Sequence, residues 1–247
     1  MLPVAVLGVT LERPMTAERE EAPEAIPAAT VIVVRDGPAG LETLMLRRDS
    51  SLEFAGGWWV FPGGRIDPGD YPAGGATDPA TAARAAAVRE AREEAGLEIP
   101  ESDLVAFSHW MPPASLPKRF STWFYLAPAP DGAVVIDDGE IRAHAWMAPA
   151  DVLAGVDTGE IQIAPPTWIS LDRIGRHRDV DAALADAGSG AVEHFVTQMT
   201  EVDGEMVALW HGDAGYDDAD PHRPGPRHRL WMTSGRWRYE RTEPGDG

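Results

Sequence analysis

Gly63-Gly64-Arg65-Ile66-Asp67-Pro68-Gly69-Asp70, followed after a spacer by Arg89-Glu90-Ala91-Arg92-Glu93-Glu94-Ala95-Gly96-Leu97, decides how the rest of the chain is read. The first half reads as a glycine turn, the second as the end of a helix. Asp78-Pro79 supplies the helix start, a carboxylate N-cap followed by proline in the first turn. Gly96 supplies the stop, because glycine accepts positive φ just past a last turn. Between them Ala80, Ala82, Ala83, Ala85, Ala86 and Ala87 are the best helix formers.

At about 100° per residue, Glu90, Glu93 and Glu94 fall within a wedge of roughly 100°. Val88, Ala91 and Ala95 lie about 140° round, so one face packs while another presents carboxylates. Like charges three or four residues apart cost about 0.2–0.5 kcal/mol per pair. The C-terminal half of a helix disfavours each anion by roughly another 0.3–1 kcal/mol. A divalent cation turns that cost into binding energy, and hard oxygen ligands select Mg²⁺ or Mn²⁺. The competing reading is a solvated acidic helix end that binds nothing.

The composition is that of an ordinary globular chain: 247 residues, 44% hydrophobic and 25% charged. A formal charge of −19 argues against nucleic acid and anionic membrane as partners, since both require a positive surface. It leaves open an anionic small substrate if metal ions stand between the charges. There is no cysteine, hence no disulfide, thiolate metal site or cysteine nucleophile. No apolar run approaches the length of a membrane span. Met1–Thr10 is apolar but lacks a basic n-region, and the last residues show no sorting tail, so the expected location is cytoplasmic.

Outward from the central stretch, residues 11–28 read as an acidic, proline-bearing lead-in. Residues 29–35 and 41–48 read as strands joined by the turn Asp36-Gly37-Pro38-Ala39-Gly40. Trp58, Trp59 and Phe61 read as core. Further strands are expected over 104–110, 119–126 and 141–147, and helices over 148–156 and 167–187. The basic residues Arg173, Arg176, His177 and Arg178 are assigned to the solvated side of the second of these helices. Beyond it, a hairpin is expected around Asp203-Gly204, a loose polar loop over 212–229 and a terminal hairpin around Ser234-Gly235. The mixture indicates an α/β or α+β layered fold.

Gly64, Asp70 and the run Arg89–Leu97 closely resemble the Nudix box: Gly, five residues, Glu, seven residues, then Arg-Glu-aliphatic-x-Glu-Glu-x-Gly-aliphatic. The second half matches at every fixed position, with Ala91 as a small aliphatic. Two departures stand out: Asp70 replaces Glu, and eighteen residues separate Asp70 from Arg89. The longer gap falls in the loop before the helix, where closure entropy grows only slowly with length. Such an interrupted box is similar to the Nudix branch containing peroxisomal coenzyme A diphosphatases. Val60–Asp67, Pro117–Thr122 and Ala164–Thr167 also resemble that branch. In the coenzyme A signature upstream, Arg48 and Gly57 match, while Asp49 and Glu53 stand where a small residue and a second arginine are expected.

The resemblance implies an α/β/α sandwich with a mixed sheet over residues 29–188, after a lead-in of 1–28 and before a C-terminal extension of 189–247 rich in short strands. It implies a hydrolase that cleaves a diphosphate linkage in a nucleoside diphosphate derivative, either coenzyme A-like, a dinucleotide or a nucleotide sugar, using Mg²⁺ or Mn²⁺. A catalytically silent nucleotide-binding or regulatory module is the alternative. Glu90 and Glu94 carry over as metal ligands, Glu93 as a ligand or base, and a backbone carbonyl at Gly63-Gly64 as a further ligand. Arg89 carries over as the residue that orients a carboxylate, with Asp70 as its partner. Glu140, then Asp138, are the candidate bases from a later loop. Arg48 and Arg119 are the candidate phosphate clamps, since an arginine fork suits phosphate oxygens. A homodimer is a further implication.

Overall fold

The computed structural model describes residues 23–52, 55–73, 79–136 and 139–242; the Asp78 cap, Glu53 and Asp138 lie outside them. The strands and helices follow in the order β1 (Ile26–Gly37), β2 (Gly40–Arg48), β3 (Trp59–Val60), β4 (Gly63–Arg65), α1 (Pro79–Ala95), β5 (Val105–Met111), β6 (Phe120–Pro128) and β7 (Ile141–Met147). Then come α2 (Pro149–Thr158), α3 (Pro165–Ile174), α4 (Val180–Ser189), β8 (Glu193–Val196), β9 (Gln198–Val202), β10 (Glu205–Leu209), β11 (His228–Thr233) and β12 (Arg236–Arg241).

β1 is the axis. Val31, Ile32, Val33 and Val34 are fully buried, the pattern of a strand covered on both faces. β6 pairs with it in parallel, and β2 antiparallel, so the large sheet is mixed. Its order is β3-β2-β1-β6-β5-β8, with β7 also on β2 and β4 also on β1. α1 covers one face: its buried alanines pack with Ala29, Val31 and Val33. Side chains that small let helix and sheet approach closely, and a leucine at Ala86 would overpack the contact at about 1–3 kcal/mol. Ile32, Val34 and Met45 point to the opposite face, into a core shared with Val152, Trp168, Leu171 and Ala183 of α2, α3 and α4. The result is an α/β/α sandwich.

The expected strand-rich C-terminal segment is a second antiparallel sheet, β12-β11-β10-β9. Ala208, Trp210, Leu230 and Met232 join it to the helical core. β8 instead leaves that segment and pairs in parallel with β5 at the edge of the large sheet. Among the described residues no helix is long and apolar enough to cross a membrane.

Three local expectations are corrected. The glycine turn at Gly63-Gly64 is a short strand, because β2 leaves the Ala28–Thr30 edge of β1 open and β4 fills it. The single helix over 167–187 is two helices. α3 closes at Gly175, and α4 opens at Asp179, whose carboxylate accepts from Ala182 N at 2.9 Å. The 212–229 loop is tied down, not loose. Asp213 accepts from Gly215 N at 2.8 Å, His228 N at 2.8 Å and from both Nε and Nη2 of the buried Arg229 guanidinium.

Candidate active site

α1 ends as its sequence dictates. Gly96 has φ 66°, its N–H reaches Arg92 O at 3.0 Å, and Leu97 N reaches Ala91 O at 3.2 Å. The last turns therefore sit at a fixed height over β4. Glu94 points inward, only 7% exposed, and accepts from Gly63 N at 2.9 Å. Glu90, one turn earlier, lies against Gly64; a Cβ on Gly64 would fall 2.4 Å from Glu90 Oε1. On Gly63 it would fall 2.4 Å from Thr30 Oγ1. Both glycines are thus required by space, since the strand must pass against β1 at Gly63 and under the Glu90 carboxylate at Gly64. Glu93 lies on the outer side, mostly exposed.

Arg89 is the hub of this cluster. Its Nε and Nη2 donate to the two oxygens of Asp70 at 3.0 and 2.9 Å. Nη2 also donates to Arg65 O at 2.9 Å, and Nη1 to Glu90 Oε1 at 2.8 Å and Glu93 Oε2 at 3.0 Å. Asp70 reaches despite its shorter side chain because it sits in a single turn, Pro68–Asp70, that folds back on Asp67 N. Burial works to raise the Asp70 carboxyl, but the Arg89 fork and the Asp67 N–H outweigh it and hold it low.

The two inner glutamates are pushed the other way. Burial raises Glu94 to about 8; the Gly63 N–H and the positive charge of Arg48 oppose this, while Glu90 and Glu140 add to it. Burial also raises Glu90, against the pull of Arg89. Glu90 thus adds to the raising of Glu94, and neither Arg48 near Glu94 nor Arg89 on Glu90 cancels the effect of burial.

Arg48 and Glu140 belong to the same neighbourhood: Arg48 Nη2 and Glu140 Oε2 are 3.1 Å apart, and both act electrostatically on Glu94. Arg48 Nε is buried without a hydrogen-bond partner among the described residues. Asp49 pairs with Arg142 and caps Ser51, which explains an acid at that position. Arg119 is not brought into the cluster. Its amino groups donate to Pro23 O at 2.9 Å and Pro112 O at 3.3 Å, clamping the entry of β1 to the end of β5. Phe61 is core as expected, and Trp59 packs against it partly buried. Sequence reasoning missed the Gly63 N–H as the group that fixes Glu94, and no side-chain pattern signals a backbone donor.

A family model described as NUDIX domain matches residues 25–167. A Caenorhabditis elegans relative that carries the name nudix hydrolase 7 is 26% identical over 174 residues, 56% of this chain. The chain spans 57% of the length of that relative. The crystal structure of a NUDIX hydrolase from Alicyclobacillus acidocaldarius superposes with a TM-score of 0.59 at 23% identity, over 66% of this chain and 96% of that one. That likeness bears on the fold, which it shares. With more than half of its residues matched by the family model, and with the motif assembled as described, the chain belongs to the NUDIX domain family.

Proposed function

We propose that this protein is a divalent-metal-dependent hydrolase that cleaves the diphosphate linkage of a nucleoside diphosphate derivative. The observation that carries the reading is the pairing of a buried Glu94, held by the Gly63 N–H, with a partly buried Glu90 laid against Gly64, whose missing side chain makes room for it.

The donor set fits Mg²⁺ or Mn²⁺. All candidate ligands are hard oxygens, and among the described residues Glu94 has no cationic partner at hydrogen-bond distance, only the Gly63 N–H. Among the described residues no three Asp, Glu or His side chains form a ready-made cage. Such an ion needs only one or two carboxylates from the protein, and water and substrate phosphate would supply its other ligands. Glu90 and Glu94 would hold it, with Glu93 available on the same turn. Such an ion polarises phosphoryl oxygens and lowers the pKa of a bound water.

The remaining steps fall to the chain itself. Arg89, locked by Asp70, fixes the rotamers of Glu90 and Glu93 and so orients the cluster. Arg48 lies beside it with an unfilled Nε–H and its charge balanced by the exposed Glu140. A substrate phosphate entering there would take over Arg48 and free Glu140 to accept the proton of the attacking water. Arg119 is withdrawn from this proposal, because its guanidinium serves two backbone carbonyls. Asp49, taken up by Arg142, and Glu53 stand where the coenzyme A signature has a small residue and a second arginine, so dinucleotides and nucleotide sugars rank beside coenzyme A as substrates.

The test is product analysis on a panel of coenzyme A, a dinucleoside polyphosphate, a nucleotide sugar and a nucleoside triphosphate, with Mn²⁺ and with Mg²⁺. Cleavage between phosphorus atoms that disappears in Glu94→Gln supports the proposal. A panel left intact with both metals refutes it.

A further inference from the structure

On the sheet face away from α1, a cleft of about 480 Å³ opens between β5, β8, α3 and β12. Its size is that of a small-molecule site. The wall is aromatic: Trp110 and Phe195 stack at 3.8 Å with 4° between their planes, beside Phe107. The deep part is polar. Ser170 is fully buried, lines the cleft, and its Oγ has no hydrogen-bond partner among the described residues. Ser108 Oγ accepts from Trp110 Nε1 at 2.8 Å, which leaves its own O–H to donate. The Tyr239 hydroxyl accepts from Arg241 at 3.5 Å, and burial pushes it up to about 12, so it too remains a donor.

The rim adds guanidinium groups, Arg173 from α3, Arg176 just beyond its end and Arg241 from β12. Each is matched by one acid, namely Asp186, Asp172 and Glu193. The cleft is therefore charge-balanced within a chain of net charge −19, and the hydroxyls of Ser170, Ser108 and Tyr239 each keep an O–H to donate. A buried, unanswered hydroxyl with two further hydroxyls beside the same cleft calls for an acceptor on the ligand.

We propose that this cleft is a second ligand site, separate from the Glu90–Glu94 cluster, and that it takes a small organic oxyanion: a phosphate or carboxylate group carried on a compact apolar body. The oxyanion meets the rim arginines, and the body lies along the aromatic wall with an acceptor toward Ser170. Phe195 of β8 and Tyr239 and Arg241 of β12 come from the last sixty residues, so this segment builds the site. The proposal does not depend on the diphosphatase reading.

The experiment is isothermal titration calorimetry on the full chain with phenyl phosphate and with benzoate, which share a ring and differ in the anion. At least one is expected to bind with a low-millimolar Kd, as befits so few atoms, and the stronger of the two identifies the anion. Ser170→Ala removes an unpaired hydroxyl, so it is expected to keep or raise the Tm while weakening the binding about fivefold. Arg176→Ala, at the exposed rim, is expected to weaken it about tenfold. Glu94→Gln is expected to bind as the wild type does. No binding of either probe up to about 10 mM overturns the proposal. So does binding unchanged in both Ser170→Ala and Arg176→Ala, or binding lost in Glu94→Gln.

Discussion

Glu94→Gln removes a charge and leaves the outline of the side chain, so it separates electrostatics from packing at the centre of the site. In the metal-free protein, Glu94 moves from an ordinary value of 4.5 to about 8. The folded chain thus holds this proton more tightly than the unfolded chain does. The sign follows: ionisation of Glu94 costs nothing below pH 4.5, and the cost grows as the pH rises from there through about 8. At pH 7 the unfolded carboxylate is ionised and the folded one mostly is not, a penalty of about 3 kcal/mol as an upper bound. Glutamine keeps an acceptor for Gly63 N and carries no such penalty. In EDTA the variant should therefore melt higher than the wild type by roughly 5–10 °C at pH 8, for a chain of this length. The gap should shrink toward pH 5. Mn²⁺ should raise the wild-type Tm, more at pH 8 than at pH 6, and leave the variant nearly unmoved. Thermal unfolding of both proteins at three pH values, with and without Mn²⁺, reads all of this. A variant no more stable than wild type in EDTA at pH 8, or stabilised equally by Mn²⁺, would refute the reasoning.

Gly64→Ala places a methyl 2.4 Å from Glu90 Oε1 and should lower kcat by at least about a hundredfold while the fold survives, as near-native circular dichroism would show. Arg89→Lys cannot reproduce the fork on Asp70 together with the bonds to Glu90, Glu93 and Arg65 O; a drop in kcat with little change in KM is expected from steady-state kinetics. Asp213→Asn leaves the buried Arg229 without its counter-charge and should cost about 3–5 kcal/mol in urea unfolding. Burial works to raise the Asp213 carboxyl, but Arg229 and two N–H donors hold it low, so this contribution should be complete above pH 4 and fade as the pH falls further.

What could be read from the sequence was what is encoded locally. The β-branched run at Val31–Val34, the alanine run before Glu90 and the stop at Gly96 each carry their own reason for one conformation. Arg89 and its carboxylates were legible because helix spacing alone brings them together. What was not legible depends on distant partners. Arg119 looks like a phosphate ligand by residue type, yet Pro23, 96 positions away, claims its guanidinium. Gly63-Gly64 looks like a turn, and only an open stretch of β1 makes it a strand. Apolar residues recur on both sides of the break between α3 and α4, at Ile174, Val180 and Leu184, so the basic residues between them pass for a helix's solvated side. Arg173 and His177, read as solvated, line the cleft beside β5 because β8 and β12 return from the far end of the chain to enclose them.

That return also sets a schedule. β8 begins 82 residues after β5 ends and is the outer neighbour of β5 in the large sheet. On a ribosome adding about 5–20 residues per second, β5 waits roughly 4–16 seconds with unpaired backbone groups along that side. During this interval a second nascent chain, carrying the same bare strand, competes with β8 for it. The lifetime of that vacancy, longest when elongation is slow, sets how long neighbouring nascent chains can compete for the edge of β5.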